Sequence, residues 1–189
     1  MYITIEGIDT AGKSTQIQKL QEHYKDALIT KEPGGTELGT KIREIVLGAE
    51  IKSKKAEFLL FLADRAEHIQ EVIKPNIDKM IISDRSVVSG VAYALVQGEI
   101  SETAIVHLNR FATDAIYPKK VFLLKLTKEE LEYRLSQKKL DGIELRGVEY
   151  LLGIQEAIIK ATQLLDLELV VVDATKDIEA ITKEIISAI

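Results

Sequence analysis

The sequence predicts an α/β fold in which helices cover both faces of a parallel β-sheet. Five short runs rich in Ile, Val and Leu have the length and composition of strands, and helical patterns separate them. Such alternation is typical of a parallel sheet. Three of the runs are almost continuously apolar, as expected of strands that are buried on both faces. We therefore predict a three-layer architecture in a single domain spanning residues 1–189.

The elements follow from local pattern. Residues 2–6 form an alternating, β-branched run typical of a strand, and the helical pattern of residues 13–25 places Ile17 and Leu20 on one face. Pro75 ends the pattern that starts at residue 54, because proline cannot continue a helix comfortably. The other strands are predicted at 27–31, 80–84, 121–126 and 169–173. The other helices are predicted at 38–47, 54–73, 87–97, 102–113, 128–138, 149–165 and 178–189.

Composition excludes several classes of protein. The chain is 46% hydrophobic and 29% charged, which is enough apolar material for a full core. Its net charge of −5 argues against a nucleic-acid partner or an anionic membrane surface, since both need clustered Lys and Arg. The absence of Cys excludes disulfides and thiolate chemistry. With no apolar run of membrane-spanning length, and no room for a leader before residue 7, we expect a cytoplasmic protein.

A complete G-x-x-x-x-G-K-[ST] motif lies between the first strand and the first helix. Its glycines let backbone N–H groups surround a phosphate chain, and the helix N-terminus adds the positive end of its dipole. Lys13 supplies a mobile charge for the β- and γ-phosphates, and Ser14 is an expected Mg²⁺ ligand. The predicted nucleotide-binding residues here are Gly7, Ile8, Asp9, Thr10, Ala11, Gly12, Lys13, Ser14 and Thr15.

Polar residues follow two further strands at the edge where parallel sheets bind their ligands. Asp84 closes an apolar strand in the position of a carboxylate that holds Mg²⁺, directly or through water. The alternative role for Asp84 is the N-cap of the next helix. The chain has no N-K-x-D signature for guanine, which disfavours a GTPase.

A second anion-and-base pocket is indicated by an aromatic ring and several arginines. Phe61 and Arg65 are one helical turn apart, so they share a face. Taken alone, Phe61 could be a core residue and Arg65 a salt-bridged one. Together with Arg43 and Arg85, they fit an enzyme whose phosphoryl acceptor is itself a nucleotide.

This combination of motifs resembles the bacterial thymidylate kinases over nearly the whole chain. The matching segments are residues 7–15, 32–36 (Glu-Pro-Gly-Gly-Thr), 42–43, 61–65 (Phe-Leu-Ala-Asp-Arg), 84–86 (Asp-Arg-Ser), 89–93 and 173–175. The resemblance implies a five-stranded parallel P-loop fold with a short lid at about residues 136–147. It also implies transfer of phosphate from ATP to dTMP with Mg²⁺, and a homodimer.

The resemblance also implies residue roles. Asp9 contacts the acceptor sugar, Arg43 and Arg85 hold its phosphate, and Tyr93 lies beside the deoxyribose. Phe61 stacks on thymine, Arg65 donates to a thymine carbonyl, and the Glu32–Pro33 bond is expected to be cis. Glu32, Ser89 and Gly90 complete the substrate-binding set, and Arg134, Ala174 and Thr175 the adenine side of the ATP site. The catalytic residues are then Lys13, Asp9 and Arg85, and the metal ligands Ser14 and Asp84.

The chain departs from the family pattern at two places. Ala94 replaces a polar residue that reads thymine N3 in relatives, and residues 136–142 of the lid offer lysines where relatives carry arginines. The candidate lid cations are Lys138, Lys139 and Arg146.

Two alternatives remain open at the level of sequence. One is another nucleoside-monophosphate kinase or a deoxynucleoside kinase, which would need Asp9 or Glu32 as a base for a 5′-hydroxyl. The other is a regulatory protein that hydrolyses ATP slowly and signals through its conformation.

Overall fold

A computed structural model describes residues 1–48, 51–139 and 144–189. Its five strands form one sheet in the order β2-β3-β1-β4-β5, with every neighbouring pair parallel. The predicted parallel α/β fold is confirmed, and each predicted strand boundary lies within one residue of the observed one. The strands are β1 (Tyr2–Glu6), β2 (Leu28–Lys31), β3 (Ile81–Asp84), β4 (Lys120–Lys125) and β5 (Glu168–Asp173).

The central strand β1 is buried along its whole length between β3 and β4. Ile3 and Ile5 on this strand are fully buried, as is Phe122 on β4, and all three belong to the main hydrophobic core. Burial on both faces explains why the strands were detectable as short apolar runs.

Eight α-helices lie in the described ranges and cover the sheet. They are α1 (Lys13–His23), α2 (Glu37–Gly48), α3 (Lys54–His68), α4 (Val87–Gln97), α5 (Glu102–Ala112), α6 (Lys128–Ser136), α7 (Val148–Leu164) and α8 (Ile178–Ala188). None of these helices combines the length and the apolar character that crossing a membrane requires.

The helix predicted at residues 54–73 is α-helical only in its first part. α3 ends at His68, a π-helical segment covers Ile69–Ile73, and a 3₁₀ turn covers Lys74–Asn76. Pro75 occupies the first turn of this 3₁₀ segment, where its missing N–H costs no helical hydrogen bond.

The sheet register brings three strand ends to one edge. Ile5 and Lys31 both pair with Asp84, so the residues that follow β1, β2 and β3 are neighbours. Two backbone hydrogen bonds extend this alignment beyond the strands, from Arg85 N to Ile5 O and from Glu32 N to Asp84 O. The candidate site lies at this edge.

Candidate functional site

The phosphate loop after β1 has a backbone that requires glycine. Gly12 is the N-cap residue of α1 and has a left-handed φ of 95°, which a side chain would strain. Lys13 begins α1 and turns back over the loop, where its Nζ donates to the carbonyl oxygens of Gly7 (3.1 Å) and Ile8 (3.0 Å). The lysine is therefore held at the mouth of the predicted phosphate cradle.

Burial of the Lys13 side chain lowers its pKa. Removal from water disfavours the ammonium form, and the positive Arg85 nearby adds to this, so that the pKa falls to about 8. Asp84, Asp9 and Glu6 act in the opposite direction. A phosphate chain beside Nζ would reverse the shift, because it favours the charged form.

Asp84 and Ser14 have the positions expected of ligands for Mg²⁺. Both line a cavity of about 430 Å³ beside α1 and the loop after β2. Asp84 Oδ1 is buried and has no hydrogen-bond partner among the described residues, so this oxygen fits a cation. The N-cap of α4 is Ser86, whose side chain accepts from Val88 N, so the alternative role of Asp84 as the cap is not observed.

Arg85 follows β3 in a left-handed backbone conformation with a φ of 65°. Non-glycine residues seldom adopt this conformation, and it occurs preferentially at functional sites. Its Nη2 donates to Asp9 Oδ1 at 2.9 Å and its Nη1 to Ser89 Oγ at 3.0 Å. The ring centroid of Tyr93 lies 5.9 Å from the guanidinium carbon. The structure thus brings the predicted residues Asp9, Arg85, Ser89 and Tyr93 together.

The sequence reasoning missed Glu6, which lies beneath this cluster at the end of β1. Its side chain is fully buried and accepts hydrogen bonds from Ser86 Oγ (2.8 Å) and Ser89 Oγ (2.5 Å). Burial raises the pKa of Glu6. The available signal was a carboxylate in a buried strand directly before a phosphate loop, a place where an unpaired charge would be costly.

Arg65 donates hydrogen bonds to two side chains from different parts of the chain. Its Nε donates to Glu32 Oε2 at 2.9 Å and its Nη1 to Asn109 Oδ1 at 2.7 Å. The other oxygen of Glu32 accepts from His68 Nδ1 at 2.9 Å, and His68 Nε2 lies 2.6 Å from Thr30 Oγ1. Asn109 and His68 were not predicted as site residues.

The surroundings of Glu32 in this buried cluster favour its ionised form. Burial alone would raise the pKa of its carboxyl, but Arg65 and His68 outweigh burial and hold that pKa below its usual value. Both carboxylate oxygens are thus engaged inside the protein, although Glu32 was grouped with the substrate-binding residues from sequence.

The loop after β2 connects this cluster with Arg43. Asp64 Oδ1 accepts from Gly34 N at 2.9 Å, and Arg43 Nη1 donates to Pro33 O at 3.0 Å. The Glu32–Pro33 bond is cis, as expected. Phe61 lies half-buried one turn before Arg65 on α3.

Arg134 lies on the predicted adenine side of the ATP site and links the two segments that border it. Its Nη1 donates to Thr10 O in the phosphate loop (2.9 Å) and its Nη2 to Ala174 O after β5 (2.7 Å). Glu130 Oε1 accepts from Nε at 2.6 Å and fixes the side chain along α6. Thr175, also predicted here, donates through its N and its hydroxyl to Asp173 Oδ1.

The predicted lid at about residues 136–147 includes residues 140–143, which lie outside the described residues. Lys138 pairs with the buried Glu144 at 2.7 Å. Arg146 donates to the hydroxyl of Tyr150 and stacks over its ring, with 4.1 Å between the guanidinium carbon and the ring centroid. In the described ranges, no cluster of His, Asp or Glu side chains forms a preassembled metal site of three or more ligands.

A parallel sheet with a phosphate loop after its central strand, and an arginine after the neighbouring strand β3, defines a P-loop nucleotide-binding protein. Comparison with known proteins narrows this class. The family model described as thymidylate kinase matches residues 5–185. The thymidylate kinase of Sulfurimonas denitrificans is 79% identical over 189 residues, covering 100% of this chain and 99% of its own. That of Aliarcobacter butzleri is 55% identical over 98% of this chain and 96% of its own.

The fold gives the same result. The crystal structure of thymidylate kinase from Ehrlichia chaffeensis superposes with a TM-score of 0.76 at 28% identity, covering 100% of this chain and 97% of that one. The chain belongs to the thymidylate kinase family. The resemblance predicted from the motifs is confirmed, and with it the predicted kinase class.

Proposed function

We propose that the protein transfers the γ-phosphoryl group of ATP to dTMP and releases ADP and dTDP. Membership of the thymidylate kinase family supports this activity. The observation that carries it is the contact between Asp9 in the donor loop and Arg85 after β3, because it joins the predicted donor and acceptor sites. Two polyanions that react with each other must be held side by side, and this contact links the groups that would hold them.

Each cation near the contact has a separate task. Lys13 binds the β- and γ-phosphates of ATP, and Arg85 and Arg43 bind the phosphate of dTMP. Together they offset the repulsion between donor and acceptor and orient the acceptor oxygen in line with the bond that breaks. A general base is not needed, since a phosphate monoester with a second pKa of about 6 is already ionised near neutral pH.

Ser14 and Asp84 would hold the Mg²⁺ that accompanies ATP. When bound, the ion neutralises charge on the β- and γ-phosphates. Its fit here is supported by the unpartnered, buried Oδ1 of Asp84 and by the exposed hydroxyl of Ser14.

The bases occupy opposite sides of the loop in this proposal. Thymine stacks on Phe61 and accepts a hydrogen bond from Arg65, with Tyr93 against the deoxyribose. Adenine lies against Arg134 and the backbone of Ala174 and Thr175. The predicted lid at about residues 136–147, of which residues 140–143 lie outside the described residues, would exclude water from the transfer.

The relatives bear on the alternatives considered from sequence. The matched proteins carry the name thymidylate kinase, which favours dTMP over other monophosphates and over deoxynucleosides. The same name also favours a kinase over a regulatory protein that hydrolyses ATP slowly. Glu32 is a poor candidate base for a 5′-hydroxyl, because both of its oxygens are engaged by Arg65 and His68.

A homodimer completes the proposal. The solvent face of α3 carries an apolar stripe at positions 56, 59, 63 and 66, formed by Ala56, Leu59, Ala63 and Ala66. Leu59 is 56% exposed, and Phe111 on the neighbouring α5 is 81% exposed. Exposed apolar side chains of this kind are expected at an interface between copies.

The activity is tested by a panel of acceptors with ATP and Mg²⁺. The panel contains dTMP, dUMP, dCMP, dGMP, thymidine and water alone, and ADP release is followed for each. Turnover should be fastest with dTMP. Preference for thymidine would favour the nucleoside kinase, and ADP release that no acceptor stimulates would favour the regulatory ATPase.

A further inference from the structure

Glu6 is linked to Arg85 through a single serine. Ser89 Oγ donates to Glu6 Oε2 at 2.5 Å and accepts from Arg85 Nη1 at 3.0 Å. The other carboxylate oxygen, Oε1, accepts from Ser86 Oγ at 2.8 Å. Because the side chain of Glu6 is fully buried, it can act on a bound nucleotide only through these neighbours.

The direction of these hydrogen bonds follows from what a serine can offer. A hydroxyl carries one proton and accepts through its lone pairs. Because the guanidinium of Arg85 can only donate, Ser89 receives from it and gives its own proton to Glu6. Ser86 is in the same position, because its Oγ accepts from Val88 N at the start of α4. Both oxygens of Glu6 therefore accept, which is the pattern of an ionised carboxylate.

An ionised Glu6 keeps the lone pairs of Ser89 turned toward Arg85. A protonated or amide side chain in its place would present a donor to one of the two serines and leave one hydroxyl proton without its acceptor. Charge supports the same arrangement. Burial raises the pKa of Glu6, whereas the hydrogen bonds from the serines and the positive charge of Arg85 act in the opposite direction.

The guanidinium of Arg85 is held at both of its terminal nitrogens. Ser89 accepts from Nη1 and Asp9 from Nη2, and the remaining N–H groups stay available for a phosphate. The two contacts differ in their exposure to water. Ser89 is only 6% exposed, whereas the side chain of Asp9 is 30% exposed. The inner contact, which Glu6 supports, is thus the one shielded from solvent.

We infer that Glu6 is a positioning residue that, through Ser89, aims Arg85 at the phosphate of the acceptor nucleotide. This inference rests on the proposed function and deepens it. Glu6 does not touch the substrate in this role and takes no proton from it. The phosphate of the acceptor, and not its base or sugar, is the group whose binding depends on Glu6.

The test compares the binding of dTMP with that of thymidine, which has the same base and sugar but no phosphate. The main variant is Glu6→Gln, which keeps the size of the side chain and removes its charge and one acceptor oxygen. Ser89→Ala removes the link to Arg85. Ser86→Ala removes the other serine from Glu6 and leaves the link in place. Calorimetry gives Kd for both ligands, and steady-state kinetics gives KM for dTMP and for ATP.

We expect the preference for dTMP over thymidine, taken as the ratio of the two Kd values, to fall about tenfold in Glu6→Gln and in Ser89→Ala. Affinity for thymidine and KM for ATP should stay close to their wild-type values. Ser86→Ala should keep the preference, as should Thr182→Val, a control that deletes a buried hydrogen bond to α1. In an Arg85→Met background, adding Glu6→Gln should cause no further loss.

A preference that stays intact in both main variants would overturn the inference, even where the melting temperature falls. Loss of thymidine affinity to the same degree as dTMP affinity would overturn it too, and so would an equal loss in Ser86→Ala. Should Glu6→Gln fail to fold, Ser89→Ala decides alone, since it leaves the carboxylate in place. Failure of the proposed function is a different result, namely wild-type protein that does not phosphorylate dTMP.

Discussion

Asp9 Oδ1 accepts a hydrogen bond from Arg85 Nη2 at 2.9 Å, across 76 positions of sequence. Asp9 also lies 3.9 Å from Lys13 Nζ, so one carboxylate stands between the two cations assigned to donor and acceptor. It keeps two like charges close together in the absence of nucleotides.

The first prediction concerns this carboxylate. Asp9→Asn should lower kcat/KM for dTMP about 10- to 100-fold, because a charge-assisted hydrogen bond that orients Arg85 is lost. Steady-state kinetics with varied dTMP measures the effect. Asp26→Asn, an exposed aspartate on the loop before β2, is the control. Unaltered dTMP kinetics in Asp9→Asn would contradict the role assigned to Asp9.

The second prediction uses the pKa of Lys13, which is about 8 without nucleotide. Bound phosphates favour the charged ammonium and so raise that pKa, which means that ATP binding takes up a proton above pH 8. Affinity for ATP should accordingly weaken as pH rises through 8. Titration calorimetry at pH 8.5 in two buffers of different ionisation enthalpy gives the number of protons taken up for each ATP bound.

Lys13→Met provides the control, because it should remove the proton uptake and abolish turnover while the fold remains intact. Binding of ATP to the wild-type protein with no proton uptake at pH 8.5 would rule out the proposed linkage.

The third prediction concerns Mg²⁺. Asp84→Asn replaces a carboxylate oxygen by a weaker neutral ligand, so the free Mg²⁺ giving half-maximal turnover should rise, by about tenfold. The kinase rate is followed against buffered Mg²⁺ at saturating ATP and dTMP. Asp78→Asn, on an exposed turn, should leave the Mg²⁺ dependence unchanged. If both variants behave as the wild type does, Asp84 has no part in holding the ion.

The fourth prediction concerns assembly. Leu59→Asp places a charge in the middle of the apolar stripe on α3 and should convert the dimer to a monomer, as measured by light scattering during size exclusion. Its cost to the isolated fold is small because Leu59 is already 56% exposed. Ile178→Asp, at an exposed position on α8, should leave the mass unchanged. A wild-type monomer would refute the proposed dimer.

Local features of the sequence predicted the secondary structure and much of the site. The phosphate loop is one continuous segment, and the strand ends that carry Glu32 and Asp84 follow apolar runs, so short-range pattern was enough. The roles of Glu6 and Asn109 depend on partners 80 and 44 positions away, at Ser86 and Arg65. No local periodicity encodes such pairs, because they are set by strand order and helix packing.

Glu32 also shows that local sequence pattern does not predict contacts between distant side chains. Its place after β2 predicted a site residue, but not the direction of its carboxylate. That direction depends on Arg65 and His68, which lie i and i+3 on α3 and reach the same carboxylate from neighbouring turns.

The position of β1 in the middle of the sheet has a consequence for synthesis. The phosphate loop is synthesised before β3 and β4, yet β1 pairs with β3 at residues 81–84 and with β4 at residues 120–125. The hydrogen bonds of β1 to both of its neighbours are therefore complete only after β4 has emerged. The earliest nucleotide-binding motif to be made is one of the latest to acquire its support, and a ribosome-bound chain lacking β4 should bind ATP poorly.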